Sequence, residues 1–245
     1  GPGGPRPPRP PGPPGDAPQP PDLRASRAPE PVAATVSAIE TPKIESTPVS
    51  VLDQHTYLII GGTLKAGTTS LFNYLADHPD VCPSSAKETY FFQNPDRRPA
   101  NKCSFVDGMD SYETYFHHAH CGEGCKLRLE ATPQYLYYPE TPELIRKGLA
   151  DAHVVFLLRD PVERLVSCFD FERQHAMFPE SVSFEDYVAL QLEGTPVPGV
   201  DPQQVHSLEQ GCYSRFLKPY LDNLGADHVH VYLFDELKQD PKRVL

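Results

Sequence analysis

The chain has 245 residues and a formal net charge of −11, from 22 Lys and Arg against 33 Asp and Glu. Such an acidic balance argues against broad binding to nucleic acid, although it is compatible with one local basic pocket for a small anion. No stretch of 18 consecutive apolar residues is present, so any membrane anchor is expected outside this sequence.

The first 50 residues differ in composition from the rest of the chain. They hold 15 of the 29 prolines, with five basic and five acidic side chains, so the whole net charge falls on residues 51–245. A segment so rich in proline cannot bury enough apolar surface to fold, and we predict a disordered linker or stem. Residues 51–245 are enough for one globular domain with a sizeable core.

Predicted strands and helices alternate through residues 51–245. Apolar runs and capping signals predict strands at 57–61, 127–130, 153–158 and 228–234, and helices at 68–77, 141–150 and 161 to about 175. Another helix is predicted to open at a capping box over 183–186, and residues 207–224 are predicted helical with an interruption near Pro219. Residues 80–126 and 194–206 are predicted irregular. The alternation predicts a P-loop-like, three-layer α/β domain with a central, mostly parallel sheet flanked by helices.

The segment after the first predicted strand has the layout of a phosphate-binding loop. Gly62 and Gly67 have Walker A spacing, but Thr68 follows the second glycine and the lysine lies two residues before it, at Lys65. This pattern favours a phosphate-like anion over ATP with Mg²⁺. The candidate anion-binding residues are Lys65, Ala66, Gly67, Thr68, Thr69 and Ser70. The alternative is an ordinary strand–turn–helix with Thr and Ser caps.

Arg159 and Ser167 form a second candidate group. Arg159 follows a predicted buried strand, at the end of the sheet where ligands bind in such folds, and a guanidinium can bind a phosphate with two hydrogen bonds. Ser167 lies about two turns into the next helix. The residues alone leave an alternative open, in which Arg159 pairs with an acidic side chain and Asp160 and Arg164 form only a surface pair.

Two carboxylates, Glu88 and Glu130, are candidates for a general base. The aromatic residues after Glu88 are expected to desolvate it and raise its pKa, while the alternative for either is a solvated surface carboxylate. A zinc site at Cys121 and Cys125 beside several histidines is disfavoured, because it offers only one tight pair of ligands. A local disulfide or free thiols are favoured there, and no metal is predicted.

Five segments, taken in order, resemble the sulfotransferase family that uses 3′-phosphoadenosine 5′-phosphosulfate (PAPS). They are residues 64–71 (LKAGTTSL), 87–92 (KETYFF), 130–135 (EATPQY), 158–167 (LRDPVERLVS) and 211–221 (GCYSRFLKPYL). The likeness is strongest to the Golgi carbohydrate branch, such as the heparan sulfate N- and 3-O-sulfotransferases, and it covers roughly residues 55–245.

The resemblance implies a role for each candidate residue. The loop from Lys65 to Ser70 would bind the 5′-phosphosulfate, with Lys65 stabilising charge on the leaving phosphate oxygen. Arg159 and Ser167 would bind the 3′-phosphate, and Tyr213 would lie beside the cofactor. Glu88 would be the general base that removes the proton from the acceptor.

The implied function is transfer of a sulfuryl group from PAPS to a hydroxyl or amine of a carbohydrate by in-line displacement, without a metal. The implied partner is a glycan or glycosaminoglycan, and the implied location is the Golgi, as a type II membrane protein. Ala131 and Tyr90 stand where this branch often has Lys and His, which leaves acceptor specificity open. Lys87, Arg97, Arg98 and Lys102 are predicted to form a local basic cleft.

Two other functions stay open at this point. A P-loop nucleoside or sugar kinase would require ATP and Mg²⁺, which the position of Lys65 disfavours. A non-catalytic secreted scaffold would use the proline-rich tail and carry a degenerate domain. The chain is expected to be a fragment at both ends, because it begins with Gly rather than Met and stops at what has the pattern of a helix start. The resemblance implies a C-terminal nucleotide-binding loop that this sequence lacks, so the fragment is expected to bind its donor weakly or to be inactive.

Overall fold

The computed structural model describes residues 55–97, 99–117, 125–195 and 206–244. All of them belong to one unit that spans residues 48–245. The predicted proline-rich tail lies outside the described residues, as do His118, His120 and Cys121 of the disfavoured zinc loop. Within the described ranges, no helix is long and apolar enough to cross a membrane.

A sheet of five parallel strands forms the centre of this unit, in the order β2-β3-β1-β4-β5. The strands are β1 (Thr56–Gly62), β2 (Val81–Pro83), β3 (Leu127–Ala131), β4 (Ala152–Leu158) and β5 (Val229–Leu233). The predicted α/β fold with a parallel sheet is therefore confirmed.

Helices flank the sheet along the whole described chain. They are α1 (Thr68–Ala76), α2 (Met109–Glu113), α3 (Thr141–Gly148), α4 (Pro161–Gln174), α5 (Phe184–Leu192), α6 (Tyr213–Leu224), α7 (Phe234–Gln239) and α8 (Pro241–Val244). The predicted capping box is confirmed, since Ser183 Oγ accepts a hydrogen bond from Asp186 N at 3.1 Å and Asp186 Oδ2 accepts from Ser183 N at 3.2 Å.

Successive residues of the central strands serve two separate apolar cores. Ile59 and Phe156 belong to one cluster, whereas Ile60 and Leu157 belong to another, because neighbouring strand residues point to opposite faces. Leu237 of α7 and Leu71 of α1 pack into the second cluster. The sheet is thus covered on both faces, as a three-layer domain requires.

Three local predictions were wrong. The strand β2 and the helix α2 lie in the segment predicted as irregular. They have only three and five residues, which is too short for a periodic apolar pattern. Helix α6 continues through Pro219 without interruption. Tyr220, the residue after this proline, is 1% exposed and donates a hydrogen bond of 2.6 Å to Tyr135 O. Packing of the helix therefore outweighs the cost of the proline.

Candidate functional site

Three strand ends meet at the carboxyl edge of the sheet. Ile60 of β1 pairs with Ala131 of β3 on one side and with Val155 of β4 on the other, so these strands end side by side. Glu88 N donates to Ala131 O at 2.7 Å, which brings the segment with the predicted base to this edge. Arg159 follows β4 directly. The predicted anion loop, base and arginine therefore share one edge of the sheet, where ligands bind in such folds.

The loop between β1 and α1 leaves the start of the helix uncapped. No described side chain caps α1, and Gly67 precedes it in the left-handed conformation, with φ 81°. The first N–H groups of a helix have no partner within it, so those of α1 are available to an anion at the positive end of the helix dipole. Thr69 and Ser70 are exposed, whereas Thr68 and Ala66 are buried. The alternative with Thr or Ser caps is not what the structure shows.

Gly67 is required by its surroundings as well as by its backbone. A Cβ atom there would lie 2.6 Å from Cε2 of Phe234, in the helix α7 that follows β5. The positive φ would add backbone strain for any other residue. Phe234 therefore packs directly against Gly67, a contact that no sequence motif predicted.

The side chain of Lys65 lies against an aromatic ring that the motifs did not indicate. Its Nζ is 4.3 Å from the centroid of Phe171 on α4, a distance at which a cation is attracted to the ring face. The Phe171 side chain is 41% exposed, so the amine sits at the rim of the loop rather than in the core.

Arg159 is bound directly to the predicted anion loop. Its Nη1 donates to the backbone carbonyl of Lys65 at 3.2 Å, and its guanidinium lies 5.2 Å from the ring centroid of Phe234. Its Nε also donates to Glu163 Oε2 at 3.2 Å. The alternative in which Arg159 pairs with an acidic side chain is therefore present in the structure, together with a contact that joins the two candidate groups.

Ser167 and Tyr213 lie on two helices next to Arg159. Ser167 is half-buried on α4, and its hydroxyl makes no hydrogen bond to another described residue. Tyr213 begins α6, and its hydroxyl donates to Arg159 O at 2.8 Å. Burial raises the pKa of Tyr213, although Arg164 opposes the shift, so the phenol stays a neutral donor at neutral pH.

Arg164 is buried, so the alternative in which it forms only a surface pair with Asp160 does not hold. Asp160 instead caps α4, since its Oδ1 accepts from the N–H groups of Val162 and Glu163 at 3.0 Å each. Arg164 is 0% exposed and donates to the backbone carbonyl of Ser207. Arg164 is close enough to Tyr213 to oppose the rise in the pKa of that phenol, a position that the sequence spacing did not predict.

Glu88 is held as a carboxylate by two neighbouring side chains. Lys87 Nζ lies 2.8 Å from its Oε1, and the Tyr90 hydroxyl donates to its Oε2 at 2.6 Å. Burial raises the pKa of Glu88, but the hydrogen bonds from Lys87 and Tyr90 lower it by more, so the net shift is downward. The predicted rise in this pKa is therefore wrong. Phe91 and Phe92 turn into the core at 0% exposure and leave Glu88 beside polar groups.

Glu130, the other candidate base, is buried in a cluster of hydroxyl groups. It is 1% exposed and accepts hydrogen bonds from the hydroxyls of Thr89 at 2.5 Å, Thr132 at 2.7 Å and Tyr112 at 2.7 Å. Burial raises its pKa, and these donors oppose the rise. Because Thr89 follows Glu88 directly, this buried cluster fixes the backbone that carries the candidate base.

Comparison with known proteins identifies the domain. A family model described as the sulfotransferase domain matches residues 55–245. The chain belongs to the sulfotransferase family.

Relatives within this family include heparan sulfate enzymes. Mouse heparan sulfate glucosamine 3-O-sulfotransferase 3B1 is 26% identical over 183 residues, covering 75% of this chain and 42% of the relative. Membrane-associated sulfotransferase kil1 of Dictyostelium discoideum is 36% identical over 116 residues, covering 47% of this chain and 23% of the relative. The chain thus spans less than half the length of these curated relatives.

A solved sulfotransferase shares the fold. The crystal structure of a sulfotransferase from Alicyclobacillus acidocaldarius matches with a TM-score of 0.62 and 29% identity, covering 78% of this chain and 77% of that one. The sulfotransferase domain described here therefore has the architecture expected of its family. The roles of its individual site residues remain predictions.

Proposed function

We propose that this sulfotransferase domain transfers a sulfuryl group from PAPS to a hydroxyl or amine of a carbohydrate. The observation that carries the proposal is the 3.2 Å hydrogen bond from Arg159 Nη1 to Lys65 O. It joins the anion loop after β1 to the arginine after β4. A donor with one phosphate at the 5′ position and another at the 3′ position needs two such anion-binding groups close together.

The anion loop suits the 5′-phosphosulfate. The uncapped N-terminus of α1 offers backbone N–H groups from Gly67 onward, and the exposed hydroxyls of Thr69 and Ser70 add donors. Lys65 lies at the rim of this loop and is proposed to move from the Phe171 ring to the bridging oxygen of the donor. The proposal requires no metal.

Arg159 and Ser167 are proposed to bind the 3′-phosphate. Arg159 is positioned by three contacts: its guanidinium bonds to Lys65 O and Glu163, and its carbonyl accepts from Tyr213. A phosphate is a stronger partner for a guanidinium than the 57% exposed carboxylate of Glu163, so nucleotide binding is expected to displace that ion pair. The 3′-phosphate would then also accept a hydrogen bond from the hydroxyl of Ser167.

The proposed transfer is a single in-line displacement. A lone pair on the acceptor oxygen or nitrogen attacks sulfur, and the bond from sulfur to the phosphate oxygen breaks with its electron pair on that oxygen. Lys65 stabilises this developing charge. The acceptor proton passes to Glu88, whose lowered pKa keeps it ionised at neutral pH.

Both described lysines of the predicted basic cleft contact a neighbouring side chain. Lys87 is paired with Glu88, and the Nζ of Lys102 lies 6.0 Å from the ring centroid of Tyr115. The side chains of Arg97 and Arg98 lie outside what the structure describes. The support for a carbohydrate acceptor comes from the heparan sulfate relative named above, and we propose a glycan or glycosaminoglycan acceptor and a Golgi location on that basis.

Nucleotide selectivity tests the donor assignment. Thermal unfolding of the full chain would be followed with adenosine 3′,5′-bisphosphate, with adenosine 5′-monophosphate, and with ATP and Mg²⁺. The bisphosphate is expected to raise the Tm most, because only it fills both anion groups. A shift with ATP and Mg²⁺ alone would favour a kinase, and a lack of any shift would contradict the donor site.

Transfer of radiolabelled sulfate from PAPS tests the reaction itself. The acceptors would be heparan sulfate lacking N-sulfates and heparan sulfate lacking O-sulfates. A simple phenol would be the non-carbohydrate control. Label on either polysaccharide supports a carbohydrate acceptor. Label on the polymer that lacks O-sulfates indicates a hydroxyl acceptor, and label only on the polymer that lacks N-sulfates indicates an amine. Label on the phenol alone would overturn the acceptor class while leaving the donor intact.

A further inference from the structure

Three metal-ligating side chains face one another at the amino edge of the sheet, opposite the sulfuryl-transfer site. Asp151 precedes β4, His153 is its second residue, and His228 comes directly before β5. Their ligand atoms, one from each residue, all lie within 4.8 Å of one another, and all three residues are half-buried. None of them belongs to a motif of the family resemblance or to the donor and acceptor groups.

The distances fit a small ion better than direct hydrogen bonds. His153 Nε2 is 3.5 Å from Asp151 Oδ1, and His228 Nε2 is 4.0 Å from the same oxygen. A charge-assisted hydrogen bond would bring such atoms to about 2.7–2.9 Å. A tetrahedral zinc ion with bonds near 2.0–2.1 Å needs ligand atoms about 3.4 Å apart. Small side-chain shifts would therefore bring all three atoms to an ion.

Neighbouring groups orient two of these ligands. Thr56 Oγ1 donates to Asp151 Oδ2 at 2.6 Å, which leaves Oδ1 directed towards the histidines. His230 Nε2 lies 3.0 Å from His153 Nδ1, which leaves the Nε2 of His153 directed towards Asp151. Such secondary hydrogen bonds fix the tautomer and the orientation of ligands at metal centres.

A hydrogen bond from His153 Nδ1 to His230 Nε2 would leave the lone pair of His153 Nε2 available to a metal.

We propose that Asp151, His153 and His228 bind one zinc-like divalent transition-metal ion. Two imidazoles and one carboxylate favour zinc and its neighbours over Ca²⁺ and Mg²⁺, which prefer oxygen ligands. Three protein ligands leave the fourth position to water. The ion would tie the residues that precede β4 to those that precede β5, and its proposed role is to stabilise the sheet, not to take part in sulfuryl transfer.

Zinc binding to the full chain tests this site. The chain would be stripped with a chelator and titrated calorimetrically with Zn²⁺, and the visible absorption of Co²⁺ would report the coordination geometry. One saturable site is expected, with a rise in Tm. His228→Ala should abolish that site, and Asp151→Asn, which keeps the side-chain shape, should weaken it at least tenfold. Thr56→Val should weaken it by roughly tenfold, since it removes an orienting bond.

A second group of potential ligands in the same chain provides the control. The segment 117–125 contains three histidines and two cysteines, so the double variant His118→Ala/His120→Ala separates the two locations. This control is expected to retain the zinc site. Loss of binding in the control with retention in His228→Ala would overturn the proposal, and so would the absence of saturable Zn²⁺ binding by a folded parent chain.

Discussion

Arg159 donates a hydrogen bond of 3.2 Å from Nη1 to the backbone carbonyl of Lys65, a residue 94 positions earlier in the chain. The bond exists because β1 and β4 are parallel neighbours, so the segments that follow them leave the sheet together. A displacement of either segment would therefore strain or break this hydrogen bond and so affect the position of the other segment. Binding at the proposed 3′-phosphate group is expected to order the loop that receives the phosphosulfate.

Replacement of Arg159 by Ala is expected to weaken the binding of adenosine 3′,5′-bisphosphate by roughly 10- to 100-fold, since a charge-assisted hydrogen bond to phosphate is worth about 1.5–3 kcal/mol. Calorimetric titration would measure the affinity. Arg146→Ala, on the exposed end of α3, removes the same charge away from the site and should leave the affinity unchanged. Equal losses in the two variants would show that the effect is one of overall charge.

Replacement of Lys65 by Ala is expected to lower kcat by roughly 10²–10³-fold, because the variant loses a cation that acts on the leaving oxygen in the transition state. The rate would be measured as radiolabelled sulfate transfer at saturating PAPS. Lys147→Ala is the matched control, since Lys147 pairs with Glu143 on α3, outside the proposed site. A Lys65→Ala variant with unchanged kcat would remove Lys65 from the chemical step.

Replacement of Gly67 by Ala is expected to reduce the free energy of unfolding and to abolish nucleotide binding. The new Cβ would lie 2.6 Å from the Phe234 ring, and φ is +81°. Gly194→Ala is the control for backbone strain alone, because Gly194 has φ +67° and no atom within 4 Å of a new Cβ. Denaturant unfolding should show Gly67→Ala to be about 1–3 kcal/mol less stable than this control. Equal stabilities would contradict the Phe234 contact.

The pH dependence of kcat/KM should report the lowered pKa of Glu88. A base with a depressed pKa stays ionised to lower pH, so the acid limb is expected below the ordinary carboxyl value of 4.5. Lys87→Ala removes a partner that favours the carboxylate, so the limb should move upward. A profile that does not move in Lys87→Ala would mean that another group controls this limb.

Thr89 is expected to position Glu88 without touching the substrate. Thr89→Ala breaks the 2.5 Å bond to buried Glu130 and should lower kcat by roughly 10- to 100-fold through misplacement of the base. Thr89→Ser keeps the hydroxyl and should restore most of the rate. Nucleotide affinity should stay constant in both variants. A parallel fall in nucleotide affinity would instead indicate a general loss of structure.

Local patterns in the sequence predicted most of the fold because they depend on near neighbours. The apolar run of β4 requires burial on both faces, and the Ser183 capping box closes within one turn. The same locality explains the failures. Two charges four residues apart suggested a surface pair, yet Asp160 caps its helix and Arg164 is buried against the carbonyl of Ser207.

The sequence by itself determined the class of this protein: a parallel α/β domain of the sulfotransferase family, with its lysine placed before the glycine of the anion loop. Only the tertiary structure decided the electrostatic state of Glu88, the dependence of Gly67 on Phe234, and the meeting of Asp151, His153 and His228. Motifs depend on residues within a few positions of one another. Ion pairs, close contacts and ligand clusters depend on which strands become neighbours, and that is settled only when the whole sheet packs.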